Sequence, residues 1–259
     1  MIMSVDSRNI PTLPSESVSV PGPNPELLSA LGALVRGLSA LFWGLPLALV
    51  ICVQSAKSDW LSELPVFPAL VVTGLLYYGL TLLGQFQPQE RIWKAALDRA
   101  KLLALVNIGV SPFLYFWNRV PYNPYFNAVV HFNMITGMVF LLLLNPMLLR
   151  LTAMLPDETL RLETRLFTNL NRYLLSGAVV VISIYFIAAE YFPLAFERAL
   201  DLLFRLNPFP QRAATISLFL DRGGLWIMLV VLLLPVAMTM ALIWKVKEVI
   251  LASVFGGQS

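Results

Sequence analysis

Few side chains in this sequence of 259 residues could do chemistry, because it holds a single histidine and a single cysteine. His131 and Asn133 stand two positions apart, Arg119 precedes them, and Glu190 follows much later. A histidine and a carboxylate brought together can move a proton, and an arginine beside them can hold an anionic group. Asn107 adds an amide in the middle of an apolar stretch. Polar side chains inside such stretches are functional candidates by default, because their burial in lipid is costly. His131, Asn133 and Glu190 are predicted at a similar depth with Arg119 nearby, and with Asn107 they form a candidate polar pocket. The competing reading is architectural: asparagines in membrane helices commonly bond a neighbouring helix, and Glu190 stands beside the interfacial run Tyr191-Phe192-Pro193. Pro112, after Ser111, and the pair Asn145-Pro146 are candidate kinks, since proline removes a helical hydrogen bond.

Many chemistries are disfavoured by what is missing. One histidine cannot supply an HExxH motif, paired haem ligands or a histidine-rich metal cluster. Cys52 is the only cysteine, so neither an intrachain disulfide nor a CxxC site exists. No GxSxG elbow and no glycine-rich phosphate loop occur. No metal and no cofactor are expected, and a catalytic role is the less favoured reading. The apolar interior also lacks the carboxylate on which ion-coupled transport usually depends.

The elements that must position these residues follow from composition. Hydrophobic residues make up 58% of the chain and charged ones 13%, with a mean hydropathy of +0.75. A soluble domain carries about twice that charge fraction. The net charge of +3 is too small to imply a nucleic-acid partner. A helix needs about 20 apolar residues to cross a bilayer. Six stretches approach this: 37–53, 64–83, 102–117, 128–149, 173–189 and 224–244. The fold class predicted is therefore all-α, a polytopic transmembrane bundle of about six spans.

Pro25-Glu26, Pro88-Gln89-Glu90 and Pro156-Asp157-Glu158 each precede an odd-numbered span. Proline and acidic residues suit a first helical turn, so three helical hairpins with extended odd helices are one arrangement of the six. Residues 1–24 read as a disordered cytoplasmic tail, 25–250 as the membrane domain and 251–259 as a short C-terminal tail. Before the last span, Glu197, Arg198, Asp201 and Arg205 share one helical face, which predicts an interfacial amphipathic helix.

Two cytoplasmic helix extensions are also predicted. Ile92, Trp93, Ala96 and Ala100 would form one apolar face, with Trp93 anchoring the interface. Leu162, Leu166, Leu170 and Tyr173 would continue into the fifth span. Twelve Lys and Arg fall on the side of the termini and six on the other, so N-in, C-in orientation in a plasma (inner) membrane is expected.

The functional expectation from sequence is a non-catalytic subunit, scaffold or assembly factor of a membrane complex. Its partners would be the lipid bilayer and other membrane subunits. One alternative is a transporter or channel for a small or lipidic solute, with a path lined by Asn107, His131, Asn133 and the kink at Asn145-Pro146. The second is a membrane-embedded lipid-modifying enzyme using His131 and Glu190.

Overall fold

A computed structural model describes residues 25–57, 64, 66–87, 89–120, 123–154, 158–191 and 233–252. Among these, all regular structure is helical. The elements are α1 (Pro25–Lys57), α2 (Phe67–Leu83), α3 (Arg91–Val110), α4 (Phe113–Arg119), α5 (Pro124–Ala153) and α6 (Glu158–Tyr191). A further helix, α7, covers 233–252. The expected tail 1–24, the interfacial helix at Glu197, Arg198, Asp201 and Arg205, and residues 253–259 lie outside the described residues.

Among the described residues, four segments are long and apolar enough to cross a membrane: Ser29–Ala56, Arg91–Arg119, Pro124–Ala153 and Thr164–Ile184. Phe67–Leu83 is apolar but has only 17 residues, about 25 Å of helix. The chain is thus an all-helical bundle of the kind predicted.

Neighbouring helices run antiparallel. On α1 and α2, Gly37 faces Gly79 while Gly44 faces Leu76. Between α5 and α6 the pairs are His131 with Phe186 and Asn145 with Asn171. Neighbour follows neighbour from α1 through α2, α3 and α5 to α6. The helix α7 then closes the ring, bonding α6 through Asn171 and Thr239 and meeting α1 where Phe42 lies 5.6 Å from Trp244. The end of the bundle carrying Lys57, Phe67, Arg119 and Pro124 is called distal below, and the end carrying Pro25 and Glu158 proximal.

The core fills the proximal half. Leu34, Leu38 and Leu41 of α1 meet Leu80 and Leu83 of α2, Trp93 and Leu97 of α3, Leu144 and Leu148 of α5, and Ile243 and Val246 of α7. Trp93 does not anchor an interface as the sequence suggested. It is 1% exposed, and its Nε1 donates to the Phe86 carbonyl at 3.1 Å. The buried stripe of α3 is Trp93, Leu97, Ala100 and Ala104, while Ile92 is exposed. An indole needs a partner for its N–H when buried, and the turn after α2 presents a carbonyl to it. That turn includes Gln87 at φ 42°, a left-handed conformation that a non-glycine residue adopts only under local constraint.

On α6 the row that runs on into the fifth span lies on the outer face. Leu162, Leu166, Leu170 and Tyr173 point outward, Leu166 and Tyr173 being 74% and 77% exposed. Buried instead is the stripe Thr164, Thr168, Asn171, Leu175, Ala178 and Ile182. The physical reason is the solvent. Facing lipid, an apolar side chain loses nothing, whereas a hydroxyl or amide gains from turning inward toward partners.

Candidate functional site

Pro112 separates α3 from α4. With no N–H of its own, it leaves the Ile108 carbonyl without its helical donor. The fully buried Ser111 repairs this by donating its hydroxyl to that carbonyl at 3.0 Å. The chain therefore continues across the proline, and α4 carries Leu114 and Trp117 onto the inner side of the bundle.

Above the core, the distal half contains a cavity of about 390 Å³, within the size range of ligand pockets. One face of α1 lines it through Leu45, Ala48, Leu49, Cys52, Val53 and Ala56. Opposite, α5 contributes Val130, Asn133, Met134, Gly137 and Leu141, at the i, i+3, i+4, i+7 spacing of one helical face. Thr73 and Leu76 of α2, Phe186 of α6 and Val236 of α7 complete the wall. Leu45, Leu76, Phe140, Leu141 and Val236 belong to both the lining and the core cluster, so the core is the cavity floor.

Three of the five predicted pocket residues meet here: Asn107, His131 and Asn133 all line the cavity. Asn107 is held by Thr136, whose hydroxyl donates to Asn107 Oδ1 at 2.6 Å and ties α3 to α5. His131 stacks on Phe186 with ring centroids 3.7 Å apart and planes 22° from parallel. Arg119 is not part of the lining; it is exposed, with its guanidinium carbon 5.3 Å from the Tyr115 ring centre. Glu190 lies on the last turn of α6, and its side chain is outside the described residues. Among the described residues, the lining contains no Asp, Glu, Lys or Arg. Such a surface suits a neutral, largely apolar molecule with one group able to hydrogen-bond.

Asn145 and Pro146 stand inside α5, whose helix runs unbroken across them. Asn145 is 1% exposed and does not face the cavity lining. Its Nδ2 donates to the Leu141 carbonyl at 2.8 Å, and its Oδ1 accepts from Asn171 Nδ2 at 3.1 Å. Asn171 also donates to Thr239 Oγ1 at 3.0 Å, and Thr239 donates to the Pro235 carbonyl at 2.8 Å. This node joins α5, α6 and α7 one turn beneath the cavity floor.

The sequence reading missed Asn171, Thr239 and Thr136. Asn171 fell just outside the stretch taken as the fifth span, and was therefore counted with the solvated connection. The seven-residue recurrence of small, polar and apolar residues from Thr164 to Ile182 was the available signal. Among the described residues, no cluster of three metal-ligating side chains occurs. No known protein family, curated protein or solved structure matches this chain.

Proposed function

We propose that this chain is a multi-pass integral membrane protein that binds a neutral, lipid-like molecule in its distal cavity, as a carrier for a lipidic solute. The observation that carries the reading is the cavity itself: without charge among its described lining residues, lined by all seven helices, and fitted with Asn107, His131 and Asn133 on a mainly apolar wall. The core beneath it favours a closed binding site over an open pore. Multiple spans are supported by the four long apolar helices. The excess of Lys and Arg beside the termini supports a plasma (inner) membrane with both ends cytoplasmic, so that the cavity opens in the outer leaflet.

A second reading, a subunit of a membrane complex, is favoured by one observation. The outward row Leu162, Leu166, Leu170 and Tyr173 is continuous and broad, and a partner helix would cover it as readily as lipid does.

Gly137 supplies the test, because it lines the cavity and a Cβ there meets nothing within 4 Å. Gly137→Phe should fill the void while holding or raising thermal stability, since glycine is a poor helix former. After mild detergent extraction, mass spectrometry should find lipid retained by the wild-type chain and lost from the variant. Equal retention by both proteins would sink the proposal.

A further inference from the structure

Threonines in these helices mostly bond their own backbone: Thr73 to Ala69, Thr81 to Tyr78, Thr152 to Leu149 and Thr239 to Pro235. Thr164 and Thr168 do not. Both are buried, 0% and 3% exposed, and neither hydroxyl has a hydrogen-bond partner among the described residues. One helical turn on, Asn171 Oδ1 is also buried and unpartnered, although Nδ2 of the same amide bonds Asn145 and Thr239. The three orphan oxygens share the inward stripe of α6.

Orphaned buried polar atoms are costly, at about 1–3 kcal/mol each, and lipid offers them nothing. Buried water is the usual answer, since one molecule bonds about three such groups. The spacing fits. Residues four apart rise about 6 Å along a helix and residues three apart about 4.5 Å. A single water bonded at about 2.8 Å to each of two oxygens spans up to about 5.6 Å, enough to link Thr168 with Asn171, while the step from Thr164 to Thr168 takes two waters in file. A monovalent cation fits less well, because no negative side chain accompanies these oxygens on the stripe.

We propose that α6 holds a file of buried waters along Thr164, Thr168 and Asn171, and that this hydrated seam reaches from the proximal end to the cavity floor. Thr164 stands about 9 Å from the start of α6. At the other end, the Asn145–Asn171–Thr239 node sits one turn below Leu141 and flanks Val236, both of which line the cavity. The proximal half thus combines the apolar core with a wetted seam along one face of α6, and the Leu141–Val236 layer separates that seam from the cavity. The seam is independent of whether the cavity binds lipid.

The test uses the full chain in detergent or nanodiscs. Thr164→Val and Thr168→Val are isosteric and remove only a hydroxyl. If waters bond these groups, each variant should lower Tm by about 2–4 °C; an unchanged or raised Tm would overturn the seam. A second measurement places a thiol in it. With Cys52→Ser as background, Thr168→Cys should react with silver ion and so escape later maleimide labelling of the unfolded chain. Leu175→Cys, on the same stripe but in the apolar core, should stay protected. Reaction at both positions, or at neither, counts against the file. Exchanging sodium for choline should leave Tm of the wild type unshifted; a shift would replace water by a bound cation. None of these readouts involves the cavity ligand, so they fail or succeed separately from the lipid-retention experiment.

Discussion

At the scale of single residues, the polar groups of the interior answer to one another across helices. Thr136 fixes Asn107, Ser111 compensates Pro112, and Asn171 ties Asn145 to Thr239. The last of these should matter most to stability, because removing Asn171 strips a partner from both Asn145 Oδ1 and Thr239 Oγ1. Asn171→Leu is expected to cost about 1–2 kcal/mol, near the upper end for interhelical polar contacts. Reversible unfolding in mixed micelles would measure it, and a variant as stable as wild type would show that the node contributes nothing. The candidate polar residues were legible in the sequence as types. Their partners were not, since Asn107 and Thr136 lie in different helices and only packing brings them within 2.6 Å.

At the scale of elements, the tightest contact is between α1 and α2. A Cβ on Gly37 would stand 2.8 Å from the Gly79 carbonyl oxygen, which is backbone and cannot move aside. At Gly44 the near atom is Leu76 Cδ2, also at 2.8 Å, but it is the tip of a flexible side chain. Gly37→Ala should therefore destabilise by about 1–3 kcal/mol as the helices are forced apart, and Gly44→Ala by clearly less. Thermal unfolding of the two variants would rank them; the reverse order would contradict close helix contact at Gly37. Element existence was read well from apolar runs, whereas element orientation was not. The periodicity of α6 supports two opposed stripes, Leu162–Leu166–Leu170–Tyr173 and Thr164–Thr168–Asn171–Leu175. Choosing between them requires knowing which one meets α5 and α7.

At the scale of the whole molecule, the exposed surface is apolar where a soluble protein would be charged. Val71, Val181 and Ile184 are 67%, 66% and 61% exposed. If lipid covers that surface, Val181→Arg should lower membrane insertion of its helix by about 2.5–3.5 kcal/mol on insertion scales. In water the same surface change would fall within about 0.5 kcal/mol. A glycosylation-based insertion assay separates these outcomes, and a neutral result would argue against lipid contact at this face. The division of the interior into a distal cavity and a proximal core also belongs to this scale, because it depends on six helices closing in a ring.

Hydrophobic composition and the lengths of the apolar runs determined, without any structure, that this is a helical bundle suited to a membrane. They do so because satisfying the backbone in hydrocarbon leaves an isolated chain segment little choice but helix. Only the tertiary structure decided which face of each helix turns inward, that Asn107, His131 and Asn133 share one cavity while Arg119 stands apart, and that Asn171 belongs to the interior. Lipid removes the penalty that would force apolar faces inward. Inside such a bundle, the burial of each stripe is set by close packing and by polar partners on other helices, which neighbouring residues in the chain do not encode.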